Sequence, residues 1–217
     1  MNEEIQKNIL KSGTSIVGIV CKDGVIIAAD RRSTAGSIVM SKDSKKIRVI
    51  GDYLATAYTG GVADIQLTNK ILSAELRLKE LKTRSRPSVE EAAHLLGMLV
   101  YKGIRTPAMI PSIVGTLIAG VDQDGKTSLY TIEPAGGVNK VEDYDANFSS
   151  GMPYILGLLE RGYKKDLSVN EAVELAKEAI KSSMQRDIGS GNGIDVFTVT
   201  KSGVQQVVSE EIVPQYK

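Results

Sequence analysis

The chain has 217 residues and a formal net charge of +1, from 27 lysines and arginines against 26 aspartates and glutamates. A chain of this length and ordinary composition can bury a sizeable core without disulfides or metals. Its single histidine and single cysteine exclude a zinc site of the usual Cys/His kind and a disulfide within the chain. Near-neutral charge, two phenylalanines and no tryptophan argue against nucleic acid as a partner.

Neither a membrane span nor a targeting signal is visible in the sequence. No segment approaches the roughly 20 apolar residues that a spanning helix needs. The polar start MNEEIQKNILKSG contains two glutamates and resembles neither a secretory signal nor a transit peptide. We therefore expect a cytoplasmic protein of bacterial or archaeal type.

Strand signals come first along the chain. Segments 14–21 and 25–30 are apolar and β-branched, and Asp23-Gly24 between them is a strong hairpin signal. Three further strands are predicted, the first two as a pair: 36–41, 46–50 and 53–59.

The apolar period then changes to that of a helix. From Val62 to about Lys82, apolar residues spaced by three and four predict a helix with one apolar stripe. The stripe consists of Leu67, Ile71, Ala74, Leu78 and Leu81. Ser88 and Glu91 form a capping-box pattern that starts a second helix, which extends to about Tyr101.

Strands, helices and strands follow in the second half. The first group of strands, two of them joined by the turn DQDG, is predicted at 112–121, 127–132 and 138–147. A helix is predicted at 151–163, and a second begins at the capping box of Ser168 and Glu171. Its apolar stripe consists of Val169, Ala172, Val173, Ala176, Ala179 and Ile180. The closing strands are predicted at 194–200 and 204–208.

This element order predicts the fold class. Runs of strands that alternate with pairs of helices indicate an α+β protein with antiparallel sheets rather than a doubly wound parallel sheet. Two sheets stacked face to face, each covered by a helix pair, would bury every stripe. Because no linker or repeat divides the chain, we expect one domain.

Common catalytic motifs are missing from the sequence. It contains neither a GxSxG elbow nor a phosphate-binding GxxxxGK[ST] loop. His94 lies within a predicted helix and is interpreted as a packed or surface residue, and Cys21 as a small buried hydrophobe. The glycine cluster GSGNG at 189–193 lacks the spacing of a dinucleotide site and is interpreted as a turn.

Thr14 is the remaining candidate nucleophile. It follows Gly13 at the start of the first predicted strand. A threonine hydroxyl needs a base, and cleavage of the Gly13–Thr14 bond would free an α-amine whose ordinary pKa is near 8. A glycine before the threonine allows the backbone to bend for such self-cleavage.

Five ordered blocks give the sequence a family resemblance. They are GTSIVGIVCKDGVIIAADRR, SKKIRVI, AYTGGVADIQ, SSGMPYILGLLERGY and SSMQRDIGSGNGIDVFTVT. Together they resemble a proteasome β-type subunit of the archaeal kind, from about Thr14 to Val208. The resemblance implies the four-layer αββα sandwich of the N-terminal-nucleophile hydrolases, a propeptide at residues 1–13 removed by autocatalytic cleavage, and a catalytic domain at 14–217.

The same resemblance assigns the catalytic residues. Thr14 would be the nucleophile of a threonine endopeptidase, with its freed amine as proton acceptor. Asp30 would hold Lys46 beside it, and the ammonium would favour deprotonation of the threonine. Lys45 is the alternative if the register differs by one, and a cross-strand ion pair without a catalytic role is the alternative for the pair itself.

Further site residues follow from the resemblance. The backbone N–H of Gly60 would stabilise the oxyanion, although Gly60 also fits a simple strand-to-helix turn. Ser150, Asp187 and Ser190 would hold the new amine, although the first two also fit polar residues at helix ends. The substrate pocket would be lined by Ser33, Thr34, Tyr58 and Val62. Tyr58 would narrow the pocket, and Ile16 would alter peptide contacts along its strand.

The resemblance also implies an assembly without cofactors or metals. Seven-membered β rings, of one or more β chains, would stack in pairs, be capped by α-type rings and work with a regulatory ATPase on unfolded polypeptides. The helix at 61–83 carries a charged face that suits ring contacts or solvent: Lys70, Glu75, Arg77, Lys79 and Glu80. Three rival functions remain open: an unprocessed structural β subunit, a small-molecule amidase of the same superfamily, and a binding module.

Overall fold

A computed structural model describes residues 13–212. The helices in this range are α1 (Val62–Thr83), α2 (Val89–Arg105), α3 (Met152–Gly162) and α4 (Val169–Met184). The strands are β1 (Ile16–Cys21), β2 (Gly24–Asp30), β3 (Ser33–Ala35), β4 (Ile38–Ser41), β5 (Ile47–Ile50), β6 (Leu54–Gly60), β7 (Val114–Val121), β8 (Thr127–Ile132), β9 (Val138–Val141), β10 (Tyr144–Asp145), β11 (Gly193–Thr200) and β12 (Gly203–Glu211). The predicted propeptide lies outside the described residues, except for Gly13.

The strands form two antiparallel five-stranded sheets and a separate hairpin. One sheet has the order β10-β1-β2-β11-β12, the other β5-β6-β7-β8-β9, and β3 pairs with β4. Helix α4, with α3 against it, packs on the first sheet, whereas α1 and α2 pack on the second, and the two sheets contact each other. The predicted α+β fold with stacked sheets between helix pairs is confirmed.

The strands at the centre of the first sheet are buried on both faces. In β2, Val25 and Ile27 face the core between the sheets, whereas Ile26 and Ala28 face the core under α3 and α4. Because side chains alternate along a strand, a continuous apolar run is needed to fill both cores. Asp30 ends this run and is also completely buried.

Helix termini follow the predicted capping boxes. The Ser88 side chain accepts the Glu91 N–H at the start of α2, and the Glu91 side chain accepts the Ser88 N–H. Ser168 and Glu171 repeat this arrangement at α4. The predicted stripe of α4 is also confirmed, with Ala172, Ala176 and Ile180 fully buried.

The apolar stripe predicted for α1 is wrong. All five of its members are exposed, and the side chains that the helix buries are Leu72 and Leu76. Apolar residues occur on more than one face of this helix, so its spacing alone did not identify the face that packs on the sheet.

Three details of the strand predictions are also wrong. Segments 36–41 and 46–50 do not pair, because a tight turn at Gly36 (φ +61°) folds β4 back on β3 while β5 pairs with β6. The segment 138–147 divides into β9 and β10, which belong to different sheets. In the first hairpin Cys21 pairs with Gly24, so the turn residues are Lys22 and Asp23.

Within residues 13–212, the helices are all too short or too polar to cross a membrane.

Candidate active site

Thr14 lies just before β1, where both its nitrogen and its hydroxyl are engaged. Its backbone N–H donates to Ser150 Oγ at 2.9 Å, and its Oγ1 donates to the carbonyl oxygen of Gly13 at 2.7 Å. Gly151 N–H donates to the Thr14 carbonyl at 3.2 Å and fixes the residue from the start of α3. The hydroxyl therefore lies against the carbonyl group of the Gly13–Thr14 bond.

Asp30 joins three segments at the end of β2. One of its oxygens accepts the Ser15 N–H at 2.8 Å and Lys46 Nζ at 2.6 Å, and the other accepts the N–H groups of Arg32 at 2.9 Å and Gly191 at 3.0 Å. Its carboxylate therefore fixes the residue next to Thr14, the turn before β11 and the lysine together.

Burial acts on both members of the Asp30–Lys46 pair. The side chains are 0% and 8% exposed. Burial lowers the pKa of Lys46, although the negative charge of Asp30 acts in the opposite direction. Burial also raises the pKa of Asp30, although Lys46 and two backbone N–H groups act to lower it. Lys46 therefore gives up a proton more readily than an exposed lysine.

Lys45 occupies a different environment from its neighbour. Its side chain is 45% exposed, and its Nζ lies 3.4 Å from Asp43 and 3.8 Å from Asp195. Of the two lysines, Lys46 is therefore the one that contacts Asp30, which agrees with the register expected from the sequence.

Asp187 organises the hydroxyl groups around Thr14. Its Oδ2 accepts from Ser150 Oγ at 2.7 Å and from Ser190 Oγ at 2.5 Å. Ser190 Oγ lies 2.6 Å from the Oγ of Ser15, which is completely buried. A continuous hydrogen-bond chain thus leads from the Thr14 nitrogen through Ser150 to a carboxylate. Ser15 was not expected in this network, although its position next to Thr14 was a signal.

Two glycines allow close approaches at the site. Gly60 has φ +117°, and a Cβ added to it would lie 2.0 Å from the carbonyl oxygen of Ile113, so no other residue fits this conformation. A Cβ added to Gly189 would lie 2.3 Å from Gly13 Cα, which shows how closely the 189–193 turn passes the residue before Thr14.

A cleft of about 90 Å³ opens beside Thr14. It contains Ser33, Tyr58 and Val62 of the predicted substrate residues, together with Gly60 and Lys46. Lys45, the alternative to Lys46, also lines the cleft, and five other lining residues were not expected: Arg32, Ser44, Arg48, Ile65 and Gln66. Whether such a residue lies in a loop, a strand or a helix, its polar or apolar character does not distinguish a cleft wall from an ordinary surface.

The remaining predicted residues lie elsewhere. Thr34 Oγ1 accepts the N–H of Gly13 at 2.9 Å. Thr34 therefore contacts the backbone of the residue that precedes Thr14 and does not line the cleft. Ile16 is completely buried in the core between the sheets and does not reach a peptide. Cys21 is buried, as expected, and His94 lies exposed on α2. In the part of the chain that the structure describes, no three metal-binding side chains cluster.

The site lies within a region that matches known proteins. A family model described as "Proteasome subunit" matches residues 10–199. The "Proteasome subunit beta" of Nanoarchaeum equitans is 40% identical over 91% of this chain and 98% of its own length. That of Methanothermobacter thermautotrophicus is 41% identical over 94% of both chains, and "Proteasome subunit beta 1" of Thermococcus onnurineus is 42% identical over 92% of this chain and 95% of its own. The matched region includes every residue of the site described above.

Proposed function

Because the chain belongs to the proteasome β-subunit family, we propose that it is a threonine endopeptidase whose nucleophile is the hydroxyl of Thr14. The observation that carries the proposal is the position of Thr14, with its hydroxyl 2.7 Å from the Gly13 carbonyl oxygen and its nitrogen bound to Ser150. The hydroxyl is thus next to the bond that must break, and the future amine is already held by polar groups.

Maturation begins with attack of Thr14 Oγ1 on the carbonyl carbon of Gly13. The C–N bond breaks, the nitrogen takes a proton, and Gly13 becomes an ester of the threonine hydroxyl. Water then hydrolyses the ester, which leaves a carboxylate on Gly13 and a free amine on Thr14. Residues 1–13 are released, and the mature catalytic domain is 14–217.

The freed amine supplies the base that the histidine-poor sequence lacks. With an ordinary pKa near 8, an α-amine is neutral in a substantial fraction of molecules near neutral pH and accepts the hydroxyl proton. Ser150 and Asp187 orient it, and Lys46 adds a positive charge that favours the alkoxide. The N–H of Gly60 stabilises the oxyanion as the hydroxyl adds to a substrate carbonyl. The leaving amine takes the proton, and water, deprotonated by the same α-amine, hydrolyses the acyl-enzyme.

We place this site inside a 20S-type particle in the cytoplasm. Heptameric β rings stack in pairs between α-type rings, and an ATPase delivers unfolded polypeptides to the enclosed threonines. The exposed apolar residues of α1, including Leu67 and Leu81, suit contacts with other subunits. Confinement limits the substrates to chains that can enter.

Substitution of the nucleophile tests the proposal. In particles assembled with the α partner, Thr14→Ala should abolish both release of residues 1–13 and cleavage of fluorogenic peptides, by roughly 10³-fold or more, because no hydroxyl remains. Thr14→Ser should retain both activities, and Thr106→Ala, at an exposed threonine after α2, serves as the matched control. Undiminished peptide cleavage by Thr14→Ala would refute the proposal, because the cleavage would then not depend on the Thr14 hydroxyl.

A further inference from the structure

The cleft beside Thr14 is lined by four positive side chains and by no carboxylate. Arg32, Lys45, Lys46 and Arg48 all contribute to its wall, whose other members are neutral. Gly13 and Thr14 also line it, so the cleft opens at the bond to be cut. A side chain that enters the cleft therefore meets an excess of positive charge, which favours an acidic side chain over a basic one.

Two of the four charges are already compensated. Lys46 Nζ lies 2.6 Å from Asp30, and Lys45 Nζ lies within 4 Å of both Asp43 and Asp195. The attraction of these lysines for a further anion is therefore reduced.

The two arginines differ in whether their guanidinium groups already donate hydrogen bonds within the protein. The guanidinium of Arg32 donates to Asn192 Oδ1 and to the Ile188 carbonyl oxygen, both at 2.9 Å, and these neutral acceptors hold it in place. The guanidinium of Arg48 has neither a carboxylate within 4 Å nor a hydrogen-bond acceptor among residues 13–212. Of the two arginines, Arg48 is therefore the one whose guanidinium donors are all open to a ligand, and their planar arrangement suits a carboxylate.

The rest of the wall suits a short carboxylate side chain. Val62 and Ile65 provide an apolar surface for its methylene groups. The Tyr58 hydroxyl donates to Asn69 Oδ1 at 3.1 Å, and burial raises the pKa of Tyr58 to about 12, so the ring stays fixed and adds no negative charge.

We propose that Arg48 determines specificity at this cleft and that the protein prefers a glutamate or aspartate before the bond that it cuts. The inference rests on the proposed threonine protease function and names the substrate class of that site. An acidic side chain pairs with Arg48, a lysine or arginine is repelled, and a leucine gains only the apolar contact.

The test compares fluorogenic tetrapeptides that differ only in the residue before the cut. With the processed, assembled particle, we expect kcat/KM for glutamate to exceed that for leucine by about tenfold and that for lysine by more. Arg48→Gln should bring the glutamate-to-leucine ratio close to one, whereas Arg48→Lys should retain part of it. Lys201→Gln, which removes the same charge from the turn between β11 and β12, should leave the ratio unchanged. Because Arg48 is exposed, its replacement should not affect the fold.

The outcomes distinguish this inference from the proposed function. A particle that cleaves peptides but prefers leucine, or whose ratio is unaffected by Arg48→Gln, overturns the inference and leaves the threonine protease intact. A particle that cleaves no peptide overturns the proposed function. In that case, binding of fluorescein-labelled, amide-capped tetrapeptides decides the inference: tighter binding with glutamate, lost in Arg48→Gln, supports it, and equal binding with glutamate and leucine overturns it.

Discussion

Asp30 and Lys46 place a charge pair almost entirely out of water beside Thr14. A buried ion pair contributes little net stability, since the loss of hydration offsets most of the attraction. Four hydrogen bonds to one carboxylate nevertheless hold this pair in a single geometry. We interpret the pair as part of the reaction, with Asp30 as the group that positions the lysine.

The two adjacent lysines provide a test of this role. Lys46→Ala should lower peptide hydrolysis by at least about 100-fold, because the positive charge beside the nucleophile is lost. Lys45→Ala, at an exposed residue of the same type, should hydrolyse peptides at close to the rate of the parent protein. Hydrolysis of a fluorogenic peptide measures both. Since Lys46→Ala leaves Asp30 buried without its partner, the mass and melting temperature of each particle must be compared as well. The opposite pattern would show that Lys45 is the functional lysine.

At the scale of elements, α1 has buried apolar residues on one side and exposed apolar residues on the others. Leu72 and Leu76 are buried against the second sheet and α2, whereas Leu67, Ile71 and Leu78 face outwards. The inward pair stabilises the chain, and the outward residues remain available to other subunits.

A pair of leucine substitutions tests this division. Leu72→Ala should reduce the free energy of unfolding of the isolated chain by about 3 kcal/mol, because a buried side chain leaves a cavity. Leu78→Ala should change it by less than about 0.5 kcal/mol. Urea denaturation gives both values, and equal losses at the two positions would contradict the assigned packing of α1.

The start of α2 gives a pH-dependent prediction. Glu91 is held by Lys79 Nζ at 2.6 Å and by Ser88, and these contacts lower the pKa of Glu91. A lowered folded-state pKa gives stability that is present above the ordinary value of 4.5 and is lost as the pH falls through the lower value. Glu91→Gln should therefore lower the free energy of unfolding by about 0.5 kcal/mol near neutral pH, and this difference from the parent chain should disappear in acid.

Thermal unfolding of the parent chain and of Glu91→Gln from about pH 7 to about pH 3.5 measures this effect. Glu178→Gln, on the exposed face of α4, is the control for loss of a carboxylate. A difference that grows as the pH falls would contradict the assignment.

Local patterns predicted much of the fold. The two capping boxes fixed the starts of α2 and α4, and the stripe of Ala172, Ala176 and Ile180 identified the buried face of α4. The extent of α1 was predicted but its buried face was not, because its apolar residues lie on more than one surface and periodicity does not show which surface faces the sheet. The β3–β4 pairing was missed because it depends on a positive φ at Gly36, one of several glycines that could have formed a turn.

The site was predictable only in part. The resemblance points to Thr14, Asp30 and Lys46 from the sequence alone, and the structure brings the three residues together. Arg48 and Ser15 were missed, since their positions at the cleft and in the serine network depend on how distant segments meet. A cleft wall assembled from β3, β5, β6, α1 and the loops before β3 and β5 leaves no pattern in any one of those segments.

At the scale of the whole molecule, the maturation that we propose would change the chemistry of the chain more than its charge. Residues 1–13 contain two glutamates and two lysines, so their removal leaves the side-chain balance at +1. The proposed cleavage would add one α-amine at Thr14, beside Ser150, Asp187 and Lys46. All the chemistry that we propose depends on that new group.

The most direct test is therefore the intact mass of the β chain in the particle assembled with its α partner, determined together with peptide hydrolysis. We predict a chain that begins at Thr14 in a particle that cleaves peptides, and an unprocessed, inactive chain for Thr14→Ala. A complete particle in which the chain still carries Met1 to Gly13 would contradict the account and identify the protein as a structural ring subunit.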